Sequence, residues 1–152
     1  MNNLQLFLAH AIELEREAAR RYEDLAEAMR SAGNREVQRF FAQMAQFSRR
    51  HLKEAMQRGG FHQLPQLAAD EWRWPEGCSP ETVKWEGMDA QIDAVQAMNL
   101  ALEAERLGYA YYKALGLSSS DPEVRRMAQE FASEEADHVD QLEAWQARLA
   151  VS

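Results

Sequence analysis

Four stretches of the chain place their apolar residues at alternating steps of four and three. Over residues 3–31 the series is Leu4, Leu8, Ala11, Glu15, Ala18, Tyr22, Leu25 and Met29. Over 35–58 it is Val37, Phe41, Met44, Ser48, His51 and Ala55, widened by Phe40, Phe47 and Leu52. Over 90–116 it is Ala94, Met98, Ala101, Glu105, Gly108, Tyr112 and Leu115. Over 122–149 it is Val124, Ala128, Phe131, Glu135, His138, Leu142, Trp145 and Leu149. This spacing predicts four amphipathic helices, each burying one seam against its neighbours. Glu13, Arg16, Glu17, Arg20 and Arg21 lie mostly off the first seam and read as a solvated charged face.

Local punctuation agrees with these spans. Asn2 or Asn3 caps the first helix, Gly33 closes it, and Asn34 caps the second. Gly59-Gly60 ends the second helix, Gly116 the third, and Asp121-Pro122 opens the fourth. The breaks at 31–34 and 117–121 are short, so helices one and two, and helices three and four, form antiparallel hairpins. Residues 59–89 are too long for such a break. At ~1.5 Å per residue the second helix is roughly 36 Å long, so a return along the bundle needs a connection of this kind. The crossover holds three of the four tryptophans, expected to lie against the bundle, and Cys78 in a Gly-Cys-Ser-Pro turn. Ser79-Pro80-Glu81 is expected to start a short helical turn.

The two hairpins repeat each other. Glu15 and Tyr22 of the first helix match Glu105 and Tyr112 of the third, seven residues apart in both. Val37, Met44 and His51 match Val124, Phe131 and His138 at a constant offset, which pairs Ser48 with Glu135. A duplicated helical hairpin accounts for this. The expected fold is all-α: a ferritin-like four-helix bundle of two hairpins joined by one crossover, one domain over 1–152.

The seams carry five ionisable residues that a buried face ordinarily excludes: Glu15, His51, Glu105, Glu135 and His138. All lie near mid-helix, so an antiparallel bundle brings them to similar depth. Their desolvation needs an offset, and a metal ion supplies one. A di-iron or di-manganese carboxylate site takes one Glu from each of two helices and a Glu-x-x-His pair from each of the other two. Ser48 stands where the second of those pairs wants its Glu. His10 is displaced from the seam and His62 lies in the crossover, so both read as surface residues. Glu134 points away from the seam and reads as solvated. Tyr22 and Tyr112 read as core tyrosines bonded to a carboxylate across the bundle, with electron transfer as the alternative role.

Composition narrows the partners. The chain is 46% hydrophobic with a net charge of -8. It has no basic cluster, so nucleic acid and anionic membranes are excluded as expectations. No run approaches ~18 apolar residues, and the N-terminus lacks a basic leader, so a cytoplasmic protein is expected. A single cysteine rules out an internal disulfide and a rubredoxin-like four-cysteine iron site within these 152 residues.

The segments ELEREAARRY at 13–22, HLKEA at 51–55, EAERLGYAYY at 103–112 and EFASEEADHVDQLE at 130–143 resemble the rubrerythrin-type branch of the ferritin-like superfamily. The resemblance spans all four helices and omits the crossover. It implies a non-haem dinuclear metal protein, with two iron ions as cofactor and zinc or manganese as other candidates. Glu15 and Glu105 would be terminal ligands, Glu135 a bridging ligand, and His51 and His138 one ligand for each metal. The implied chemistry is peroxide reduction or Fe(II) oxidation, using peroxide or dioxygen and a separate electron donor. A homodimer or larger homo-oligomer is implied by the same analogy. With Ser48 in place of the second bridge, the alternative is a non-catalytic metal-binding or iron-handling protein holding zinc or one metal.

Overall fold

The computed structural model describes residues 1–74 and 92–151. Four long helices make up most of them: α1 (Asn3–Ser31), α2 (Arg35–Gly59), α3 (Ala94–Ser118) and α4 (Pro122–Ala150). No strand occurs among the described residues, and a single 3₁₀ turn, Ala69–Glu71, interrupts the long connection. No helix among them is long and apolar enough to cross a membrane.

Each helix begins where a short polar side chain replaces a missing backbone bond. The Asn2 carboxamide accepts from the Gln5 N–H at 2.7 Å, and Gln5 accepts in return from the Asn2 N–H. Asn34 accepts from Val37 N–H, and Asp121 from Glu123 and Val124 N–H ahead of Pro122. Each such cap is worth about 1 kcal/mol.

The third helix begins at Ala94 rather than 90, because Asp93 and Gln96 form a reciprocal cap at that point. It also runs past Gly116 to Ser118. Gly116 serves close approach instead of termination: a Cβ there would lie 2.8 Å from Gln129 Cγ, and Gln129 Nε2 donates to the Gly116 carbonyl. Gly60, at φ +70°, does end α2 as expected.

Long-range contacts fix the topology. Gln5 at the start of α1 donates to the Gly59 carbonyl at the end of α2. Arg58 late in α2 pairs with Glu130 early in α4, and Arg148 late in α4 with Glu36 early in α2. Phe7 early in α1 meets Tyr112 late in α3. All neighbouring helices are therefore antiparallel, and the architecture is a ferritin-like four-helix bundle of two hairpins.

The core is divided. One apolar cluster holds Tyr22, Leu25, Met29, Val37, Phe41, Met44, Met98, Leu102 and Leu142. The other holds Phe7, Leu8, Ile12, Ala55, Tyr112, Val124, Ala128 and Phe131. Burial of each large side chain contributes roughly 1.5–3 kcal/mol. Between the clusters lies a polar layer formed by Glu15, Arg21, Ser48, Glu105, Glu135 and His138, all buried, and by the half-buried His51.

The start of the crossover lies against the bundle, as expected for its tryptophans. Trp72 and Trp74 stack on each other and meet the edge of His10, and Trp74 also meets Tyr111. His10 is buried rather than superficial. Its Nε2 accepts from the Arg73 N–H at 2.7 Å, so Nδ1 carries the proton and donates to the Leu6 carbonyl at 2.8 Å. Cys78, the short helical turn expected at Ser79-Pro80-Glu81, and Trp85 lie outside the described residues.

Candidate metal centre

The heptad-like spacing places Glu105 at mid-α3 and Glu135 and His138 one turn apart on mid-α4. Their donor atoms come within 4.8 Å of one another, and all three residues are buried. His138 Nδ1 lies 3.6 Å from Glu105 Oε2 and 3.8 Å from Glu135 Oε2. Two donors sharing one ion at about 2.0–2.2 Å each sit roughly 3–4 Å apart, so these separations suit a common ion.

Glu105 is held from one side only. Oε1 accepts from the Tyr22 hydroxyl at 2.6 Å and from Arg21 at 3.3 Å, both reaching across from α1. Oε2 is buried and receives no hydrogen bond. A buried carboxylate oxygen without a donor is costly, and a cation facing it removes that cost. Burial alone would push the Glu105 carboxyl up. Interactions with Glu135 and His138 and the positive charges of His138 and Arg21 outweigh it and hold the group well below the usual carboxylate range. For His138 burial favours the neutral ring, but the Glu105 contact and the charges of Glu105 and Glu15 raise it overall.

The hydroxyl of Tyr22 behaves oppositely. Burial, then the charge of Glu105, raise it well above its ordinary range, so it remains a protonated donor. This is the core role expected for Tyr22. Tyr112, its counterpart, packs against Phe7, Tyr111 and Phe131.

Glu15 and His51 form a second group on the α1–α2 side. His51 Nδ1 lies 3.8 Å from Glu15 Oε1, and no hydrogen bond reaches that nitrogen. The rings of His51 and His138 lie nearly parallel, 5.6 Å apart, which joins the two groups into one layer. Ser48 is buried in the same layer. The five expected seam residues are thus gathered in the middle of the bundle, with Glu105, Glu135 and His138 the tightest set.

Two residues of this region were read differently from sequence. Arg21 is not solvated: it is 2% exposed and paired with Glu105. Its period was legible, because Phe7, Leu14, Arg21 and Ala28 recur every seven residues beside the seam and all are buried. Glu134 is half-buried rather than solvated, and its Oε2 lies 3.7 Å from His51 Nε2. Met127, seven residues earlier on the same stripe, is likewise buried.

A four-helix bundle of two hairpins with a buried layer of carboxylates and imidazoles at its centre is the arrangement of the ferritin-like fold. A family model described as rubrerythrin matches residues 7–58, the hairpin that carries Glu15, Ser48 and His51. A crystal structure of an uncharacterised conserved protein from Magnetospirillum magnetotacticum MS-1 is similar over the whole fold. It is 38% identical, with a TM-score of 0.77 over 97% of this chain and 95% of that chain. No curated protein matches the chain. The chain belongs to the rubrerythrin-like branch of the ferritin-like superfamily.

Proposed function

We propose that the chain is a non-haem metal oxidoreductase that holds two iron ions in the polar layer and acts on peroxide or on Fe(II). The observation that carries this reading is the convergence of Glu105, Glu135 and His138 on a buried point faced by the unbonded Glu105 Oε2. Mixed carboxylate and imidazole donors suit iron, manganese or zinc. In this reading Glu105 and His138 serve one ion, Glu15 and His51 the other, and Glu135 lies between them. When bound, the metals supply electrons and Lewis acidity toward peroxide or dioxygen.

The chain's own residues do the rest. Arg21 and Tyr22 fix Oε1 of Glu105 and leave Oε2 turned toward His138. Phe47 stacks on the His138 ring and keeps water from that side. Tyr22 keeps its proton on the hydroxyl. Reducing equivalents come from a separate donor or from Fe(II) itself, which a reducing cytoplasm would supply.

Anaerobic Fe(II) titration of metal-free protein, followed by peroxide, tests the proposal. It predicts two Fe(II) oxidised per chain with a near-ultraviolet absorbance band of bound ferric iron. No band at any loading would overturn the redox reading.

A specific observation favours a second reading. Ser48 removes one carboxylate from the layer, and Arg21 adds a buried positive charge beside Glu105. The remaining Glu15, Glu105 and Glu135 then balance one divalent ion better than two. On this reading the protein holds a single ion such as zinc and does not turn over peroxide. One metal per chain at saturation, with peroxide left unconsumed, selects it.

A further inference from the structure

We infer that Glu134 and His51 form the entry position through which a divalent cation reaches the buried carboxylates, by way of the α2–α4 face. The inference rests on the metal-binding reading above.

Three side chains make a graded path into the layer. Glu134 is 33% exposed, His51 22% and Glu15 9%. The steps between them are 3.7 Å from Glu134 Oε2 to His51 Nε2, and 3.8 Å from His51 Nδ1 to Glu15 Oε1. Both separations suit two donors on one ion. His51 thus turns one ring nitrogen toward an outer carboxylate and the other toward an inner one. A neutral imidazole has one unprotonated nitrogen and binds one cation at a time, so the two pairs mark successive positions, outer and inner.

The internal repeat supplies an independent observation. Glu134 stands four residues before His138, and Phe47 stands four before His51, so the two are counterparts in the duplicated hairpins. The Phe47 ring lies over His138 at 6.0 Å, nearly parallel to it, and closes that side of the layer. On the other side the counterpart is a carboxylate, and it faces His51. The duplicated site is closed by an aromatic ring at one histidine and opened by an acid at the other.

The surrounding charges leave Glu134 available. Arg58 is bonded to Glu54 at 2.8 Å and to Glu130 at 2.7 Å, which neutralises the neighbouring acids on this face. The Glu134 carboxylate contacts His51 instead. A negative patch with low-dielectric walls raises cation on-rates.

The test is the rate of Co(II) uptake by metal-free protein under anaerobic stopped flow, followed by visible absorbance, in wild type, E134Q and E54Q. Glu134→Gln keeps the shape of a half-exposed side chain. It is expected to slow uptake by about tenfold or more, with the final Co(II) count and final spectrum unchanged. Glu54→Gln, whose carboxylate is bonded to Arg58, is expected to leave the rate within about twofold of wild type. An E134Q rate equal to wild type overturns the proposal. So does a lower final count, which would make Glu134 a permanent ligand. Wild-type protein that takes up no Co(II) overturns the metal reading as well, so the two failures are distinguishable.

Discussion

The Arg21 guanidinium of α1 lies 3.3 Å from Oε1 of Glu105 in α3, and both side chains are 2% exposed. A buried ion pair of this kind has large opposing terms: removing one partner leaves the other charge buried and unpaired. Arg21→Met keeps the volume and removes the charge. In the metal-free protein it is expected to cost about 3–5 kcal/mol of stability. In the metal-loaded protein the cost is expected to be smaller, because a bound cation then faces Glu105. By linkage the variant binds metal more tightly than wild type. Urea denaturation with and without Zn(II) measures both, and an equal loss in the two states would contradict the account.

Tyr22→Phe isolates the second anchor of Glu105. The ring keeps its stacking on Phe41, and only the 2.6 Å bond to a charged carboxylate is lost. The expected cost is about 1.5–3 kcal/mol by chemical denaturation. A change under about 0.5 kcal/mol would show that the bond contributes little.

Much of this arrangement was legible in the sequence, and the parts that were not have separate physical causes. The seam spacing located Glu15, His51, Glu105, Glu135 and His138, because a buried helical stripe repeats every seven residues whatever occupies it. Arg21, Glu134 and His10 read as solvated because they lie off the seam. Arg21 and Glu134 sit on stripes flanking the seam, where a long side chain reaches the interface beside buried Phe7, Leu14 and Met127. His10 gave no such signal. Its burial comes from Trp72 and Trp74 folding over it, a tertiary contact between segments far apart in the chain. The start of α3 was displaced because periodicity continues past a helix end, whereas the Asp93–Gln96 cap fixes it.

Ser48→Glu restores the carboxylate that the first hairpin lacks. The position is buried, so the metal-free variant is expected to lose about 1–3 kcal/mol of stability or more. Metal is expected to reverse that loss and to occupy the second position more tightly than in wild type. Isothermal titration with Mn(II) or Fe(II) under nitrogen reads the stoichiometry. A value of one per chain in the Ser48→Glu variant would count against the two-metal arrangement.

His10 couples the crossover to pH. Burial lowers its basicity, the Leu6 carbonyl partly opposes this, and the Arg73 charge lowers it further. The neutral ring accepts from the Arg73 N–H, and protonation of Nε2 breaks that bond. The folded state therefore binds this proton less readily than the unfolded chain, whose value is 6.5. The stabilisation is complete above 6.5 and is lost as pH falls from there toward the lower folded-state value. Tryptophan fluorescence is expected to change over that acid window as Trp72 and Trp74 leave His10. The change should be absent in His10→Gln. The same transition in His10→Gln would place its origin elsewhere.

The central claim is that the polar layer between the two apolar clusters is a metal centre built on Glu105, Glu135 and His138. Anomalous scattering from a crystal loaded anaerobically with Fe(II), collected on both sides of the iron edge, tests it most directly. The account predicts an iron peak within about 2.0–2.3 Å of Glu105 Oε2, a Glu135 carboxylate oxygen and His138 Nδ1. A second peak is predicted beside Glu15 and His51. A fully loaded crystal with no anomalous peak between these residues would contradict the claim.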